Sequence, residues 1–182
     1  LPQQLNELLE EIRPAVNTKK QLIVSVVTGA HTSVFKNILG DQSRIIRAMP
    51  NTAMKVRESM TCLSSSNATQ KDINMVQALF NTMGQSIIIE ENMMSAATAL
   101  CACGIAFFLR TIRAASQGGV EIGFHAGDAL KIAAQTALGA AKLLTENKSH
   151  PEQEIDKVTS PKGCTIAGLN EMEYQGLSSA MI

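Results

Sequence analysis

The segment Ser160-Pro161-Lys162-Gly163-Cys164-Thr165 is the part of this chain whose residue types and spacing are best suited to chemistry. A Ser-Pro-x-Gly turn that feeds straight into a helix leaves the first backbone N–H groups of that helix unpaired and facing outward. A carboxylate could accept hydrogen bonds there from the main chain of Gly163, Cys164 and Thr165. The Ser160 hydroxyl would be a further donor, and the helix dipole would assist. The other reading of the same residues is an ordinary helix start in which Ser160 or Thr165 caps. Two more segments follow apolar runs: Thr28-Gly29, and Pro50-Asn51-Thr52. By residue type alone Gly29 and Asn51 are equally well turn residues.

The remaining reactive side chains point away from other chemistries. Cys62, Cys101, Cys103 and Cys164 fit neither a C-x-x-C metal pair nor a dense disulfide framework, and read as reduced thiols in cytoplasm. His31, His125 and His150 lack ligand spacing, which argues against a metal and against a Ser-His-Asp site; surface or capping positions are expected. Glu90 and Glu91 read as solvated carboxylates. Sixteen basic and sixteen acidic residues are spread along the chain, so no stripe exists to condense on nucleic acid or anionic lipid.

These residues must be positioned by elements that change character near Glu91. Leu5, Leu8, Leu9 and Ile12 recur at helical spacing, limited by Pro14. Leu22 to Val27 is a β-branched run that reads as a strand buried on both faces. A short helix over 33–39, a strand over 44–47, strands over 60–63 and 86–89, and a helix over 69–83 complete a βαβ order. That order predicts a mostly parallel, doubly wound α/β sheet over residues 1–91. From 92 to 182 the pattern is all helical: 92–116, 126–146, a short element at 151–158, and 164–174. No internal repeat appears.

At 182 residues and 45% apolar content, the chain has the size of one ordinary domain or two small ones sharing a core. Met93 to Leu109 carries no charge and approaches the ~20 apolar residues that cross a bilayer. Its Ala, Thr, Ser and Cys content and Gly104 favour a tightly packed buried helix instead. Small residues recur on it and on the next helix, at Ala96, Ala97, Ala99, Ala102, Ala133, Ala134, Gly139 and Ala140 among others. They let helix axes approach closely, and faces apolar on several sides predict a homo-oligomer. Leu1-Pro2-Gln3-Gln4 has no signal-peptide character, and the reading expects further residues upstream of it.

The stretch His150-Pro151 through Val158-Thr159-Ser160-Pro161-Lys162-Gly163-Cys164-Thr165-Ile166 resembles the signature of pyrroline-5-carboxylate reductases. Arg47-Ala48-Met49-Pro50-Asn51-Thr52 is similar to that family's Arg-x-Met-Pro-Asn-Thr segment, and Thr98 to Phe107 to its Thr-x-Leu-Ser-Gly-Ser-Gly-Pro-Ala-Tyr segment. The resemblance implies reduction of 1-pyrroline-5-carboxylate to L-proline with hydride from NADPH or NADH. It implies a Rossmann-like domain over 1–91 with its front missing, and a helical substrate-binding and dimerisation domain over 92–182. Ser160, Gly163, Cys164 and Thr165 would bind the substrate, with Thr165 the catalytic residue that orients the imine. Thr28, Gly29, Asn51 and Thr52 would approach the cofactor, at strand ends where such ligands sit.

The chain departs from the pattern at several points. No G-x-G-x-x-G follows a strand, so the pyrophosphate cradle is absent from these residues. Leu1-Pro2 stands where the family carries Lys-Pro. Cys101, Ala102, Cys103 and Ile105 replace Ser, Gly, Ser and Pro; the two cysteines keep the small size of serine and suggest packing. Lys162 replaces a glycine, and lysine takes positive φ less freely, although its ammonium could strengthen anion binding. The alternative reading is a non-catalytic truncated paralogue, a dimerising module that binds small carboxylates or partners. A different imine or 3-hydroxyacid dehydrogenase ranks third, since no lysine lies between Asn92 and Gln117.

Overall fold

The computed structural model describes residues 2–182, so the expectation for Leu1 lies outside the described residues. Contacts divide the chain into two compact units, one ending at Arg110 and the other beginning at Thr111. The first unit opens with α1 (Leu5–Ile12), which continues as a 3-10 turn over Arg13–Ala15, where Pro14 cannot extend the α pattern. Then follow β1 (Leu22–Ser25), α2 (Thr32–Leu39), β2 (Arg44–Met49), a 3-10 turn (Thr52–Val56), β3 (Ser59–Ser66), α3 (Gln70–Asn81) and β4 (Gly84–Ile88).

The sheet order is β1-β2-β3-β4. β1 runs parallel to β2, and β3 parallel to β4, each pair joined through a helix. β2 and β3 are antiparallel, with Arg47 opposite Ser64 and Met49 opposite Cys62. Two of the three pairings are parallel, as expected, and the third makes the sheet mixed. The link over 50–58 is too short for the dozen or more residues that a parallel crossover requires.

Period-two alternation along β2 sorts its side chains between two cores. Ile45 packs with Leu5, Leu9 and Phe35 from α1 and α2 on one face; Ile46 and Ala48 pack with Leu63, Val76 and Phe80 from β3 and α3 on the other. The Phe35 side chain is fully buried, so truncating it to alanine should cost about 3–5 kcal/mol. β1 is less covered than its sequence suggests: Val24 is 40% exposed, and among the described residues the strand lies at the edge of the sheet, beside β2.

The start of α3 is fastened to β2. Thr69 Oγ1 accepts from Asp72 N at 3.2 Å while Asp72 Oδ2 accepts from Thr69 N at 2.9 Å, a reciprocal cap. Asp72 also takes both its 3.0 Å bonds from Arg44 Nη1 at the head of β2. The Thr69 backbone N–H and hydroxyl, followed by the Arg44 charge, outweigh burial and hold the Asp72 carboxyl below its ordinary range.

After β4 comes a helical run: a 3-10 turn (Glu91–Met93), α4 (Met94–Ala97), a π segment (Thr98–Cys103) and α5 (Gly104–Glu121). Met94 and Cys101 pack on Met49 and Cys62, which keeps the first part of the run in the first unit. The expected buried helix is otherwise open: Leu100, Phe107, Phe108 and Leu109 are half or more exposed. The stretch Glu91–Glu121 is long and apolar enough to cross a membrane by length and composition.

The second unit holds the end of α5, then α6 (Ala126–Asn147), α7 (Pro151–Val158), α8 (Cys164–Tyr174) and α9 (Leu177–Met181). Small residues do permit close helix approach there. A Cβ placed on Gly119 would lie 3.0 Å from the Cβ of buried Ala129.

Candidate functional site

Parallel β1 and β2 end at the same edge of the sheet, and that edge collects four of the residues singled out above. Thr28 and Gly29 follow β1, while Asn51 and Thr52 follow β2. Thr28 Oγ1 points at Met49 Sδ, 3.9 Å away, which joins the two strand ends. Gly29 has φ +76, in the left-handed region, with nothing within 4 Å of where a Cβ would stand. Conformation, and not crowding, therefore selects glycine there.

Asn51 is held on every side. Its Oδ1 accepts from Ala53 N at 3.0 Å and caps the short 3-10 turn; its Nδ2 donates to Cys101 O at 3.3 Å; its own N–H donates to Ser59 Oγ at 3.1 Å. A half-buried amide so fixed presents the Thr52 end of the loop in one orientation. Beside it lies an apolar cavity of about 510 Å³, lined by Met60, Cys62, Ile87, Met93 and Leu100 with Asn51 at its polar side. Such a wall suits a flat ring or an apolar side chain better than an anion.

Cys101, at the centre of the π segment, closes this wall from the helical side. Its Sγ donates to Met60 O at 2.9 Å. Burial, reinforced by neighbouring Cys62, pushes the Cys101 thiol up to about 11. The packing role expected for Cys101 holds; Cys103, on the same segment, is exposed and packs nothing of that kind.

Below the same edge lies a charged cluster that the sequence did not disclose. Glu91 Oε1 accepts from Arg47 Nη1 at 2.7 Å and from the Thr32 N–H at 3.1 Å, and Ser64 Oγ donates to Oε2 at 3.4 Å. His31 Nε2 lies 3.7 Å from the same carboxylate. Burial alone would raise the Glu91 carboxyl, but the Arg47 and Thr32 hydrogen bonds and the Arg47 charge outweigh it and leave it below its ordinary value. Glu91 is therefore not the solvated carboxylate expected. Its partners lie 59, 44 and 27 residues away along the chain, beyond the reach of any local pattern. His31 and His150 are helix caps, as anticipated, each Nδ1 accepting a backbone N–H.

The other candidates belong to the second unit. Gly163 N donates to Ser160 O at 3.0 Å and closes a four-residue turn, with Lys162 at φ +58. That is the third turn position, where glycine or asparagine is normally required, so the lysine holds a strained conformation. Gly163 is the N-cap of α8 and, with no side chain, supplies no side-chain cap. A Cβ on it would come within 2.4 Å of Ser160 Oγ, so the absence of a side chain leaves the hydroxyl its place over the helix start. Thr165 sits half-buried in the first turn and Cys164 is exposed. Neither Ser160 nor Thr165 is engaged as a cap there, which leaves the backbone donors of that first turn open to an anion.

The pyrroline-5-carboxylate reductase dimerisation family matches residues 91–182. Pyrroline-5-carboxylate reductases 1 and 2 of Dictyostelium discoideum are 54% and 49% identical over the whole chain, which spans 35% and 66% of their lengths. The chain thus covers less than two thirds of these two relatives. The reductase of Methanosarcina acetivorans is 35% identical over the whole chain, which covers 67% of it. Among solved structures, pyrroline-5-carboxylate reductase from Coxiella burnetii superposes with a TM-score of 0.93 at 28% identity, over 98% of this chain and 67% of that one. Pyrroline carboxylate reductase of Plasmodium falciparum with NADP bound gives a TM-score of 0.88 at 26% identity, over 98% and 72%. With its mixed sheet flanked by helices, its helical second half and these likenesses, the chain belongs to the pyrroline-5-carboxylate reductase family.

Proposed function

We propose that this chain forms the substrate-binding and assembly portion of a reductase that converts 1-pyrroline-5-carboxylate to L-proline with hydride from NADPH or NADH. The observation that carries the reading is the Ser160–Thr165 turn: an uncapped helix start beneath a hydroxyl, in a chain of this family. The N–H groups of Cys164 and Thr165 hold the substrate carboxylate, with Ser160 Oγ as a further donor, while the Gly163 N–H, expected to join them, is spent on Ser160 O and closes the turn that presents them. The Thr165 hydroxyl orients the ring nitrogen, which carries the proton as the ring carbon is reduced. Fixing the carboxylate and the nitrogen leaves the ring one orientation, and orientation lowers the barrier.

The edge formed by Thr28, Gly29, Asn51 and Thr52 fits the nicotinamide end of a dinucleotide: strand ends, a glycine in the left-handed region and a clamped amide beside an apolar wall. The dinucleotide, when bound, supplies the hydride. Asn51 and Thr52 hold that edge in place, and the apolar wall keeps water from it.

A second copy of the chain covers the exposed apolar run. Leu100, Phe107, Phe108 and Leu109, with Val120 and Ile122 further on, are too many large side chains to stand in water, and they lie within the residues matched by the dimerisation family. Residues 92–182 accordingly act as the helical substrate-binding and dimerisation domain. Four free thiols suit a reducing compartment, the cytoplasm.

The test is proline-dependent reduction of NADP⁺ and NAD⁺ at high pH, in the longest natural form of the protein that carries this chain. Activity that falls roughly 10²-fold in kcat in Thr165→Ala, with dinucleotide affinity kept, supports the reading. A folded protein without activity turns it to a dimerising, carboxylate-binding module without catalysis.

A further inference from the structure

We infer that Glu91 is a positioning residue for the loop between β1 and α2, and so for Thr28 and Gly29; this rests on the cofactor reading above only for its functional consequence. One carboxylate joins three segments that are separate in the chain. Oε1 takes the Thr32 N–H, the first of α2, and the Arg47 guanidinium of β2; Oε2 takes the Ser64 hydroxyl of β3. Arg47 and Ser64 are opposite one another across β2 and β3, so they face the carboxylate as a pair.

The fourth group near Glu91, His31, is bound to Ser33 through Nδ1 and turns its Nε2 toward the carboxylate. Every group around Glu91 is therefore a donor, and none competes with it for Thr32. The carboxylate fills the anion-favouring end of α2 from within the protein. That end cannot swing without breaking a hydrogen bond to a buried ion pair, and Thr28-Gly29 is the short link between it and β1. Gly29, with its free left-handed backbone, is the joint that would otherwise let the loop move.

Removing Glu91 alone would strand Arg47, whose side chain is 7% exposed and whose Nε has no hydrogen-bond partner among the described residues, so that variant loses fold stability and loop position together and does not separate them. Two others separate the roles. Glu91→Asp keeps a charge for Arg47 but is a methylene short of Thr32; Arg47→Met with Glu91→Leu removes the pair and the tie together while filling the space. In both, amide exchange over residues 28–33 should accelerate at least about tenfold while β2 and β3 keep their protection. In the longest natural form, the Kd for NADPH or NADH should rise about tenfold while the KM for the imino acid stays within about twofold.

Unchanged exchange over 28–33 in both variants overturns the positioning role, whatever becomes of the reductase reading. A loosened loop with unaltered dinucleotide Kd overturns the link to Thr28 and Gly29. An unmutated protein that binds neither dinucleotide defeats the reductase reading, while the exchange experiment still decides whether Glu91 holds the loop.

Discussion

Arg47 on β2 and Glu91 at the head of the helical run meet at 2.7 Å across 44 residues of chain, with the arginine side chain almost wholly buried. A pair so placed is costly to break from one side, because the remaining charge keeps its desolvation without its partner. Arg47→Met alone should therefore destabilise by about 3 kcal/mol in urea unfolding at neutral pH. The Glu91 carboxyl lies below its ordinary value of 4.5 in the folded chain, so its contribution is complete above that pH and is lost as pH falls through the folded value. The gap between Arg47→Met and the unmutated chain should narrow below pH 4.5; a gap that stays constant into acid would contradict the pairing.

The thiols should separate by reactivity. Cys101, raised to about 11, is almost entirely protonated at neutral pH and buried, whereas Cys103 and Cys164 are exposed. Iodoacetamide followed by peptide mass spectrometry should label Cys103 and Cys164 first, and Cys101 and Cys62 only on unfolding. Early labelling of Cys101 would show that the π segment opens.

Lys162 occupies a left-handed position at φ +58. Lys162→Gly should relieve that strain and stabilise the second unit by roughly 0.5–1 kcal/mol, read as a higher Tm. Whether the ammonium aids the carboxylate is read in the same variant from the KM for proline, which rises if it does and holds if the backbone donors suffice.

Asn51→Ala removes the cap on Ala53 and the bond to Cys101 O. A loss of about 1–2 kcal/mol is expected from the two together. Exchange should quicken over 51–56, and affinity for the dinucleotide should drop while carboxylate binding at Ser160–Thr165 persists.

Much of the fold was legible because its signals are local. Pro14 stops α1, β-branched runs mark β1 and β2, and the helices over 151–158 and 164–174 end where their turn residues place them. The Ser160–Gly163 turn was legible in the same way, down to the strain at Lys162. The antiparallel pairing of β2 with β3 could be reasoned only from the shortness of the 50–58 link, once β3 was known to begin at Ser59. Val24, expected in a strand covered on both faces, is 40% exposed, since hydrophobicity states what a residue prefers and not what covers it.

By itself the amino-acid sequence determined the βαβ order, the change to helices after Glu91, the turn at Ser160 and the family resemblance, because each depends on residues within one or two turns of each other. Only the tertiary structure decided that Glu91 is a paired carboxylate, that Asn51 is clamped to Cys101, and that Thr28 stands against Met49. Those relations join residues tens of positions apart, and a hydrogen bond carries no mark in the composition of either partner. Packing selects them when sheet register and helix ends bring donor and acceptor within 3 Å or so of each other.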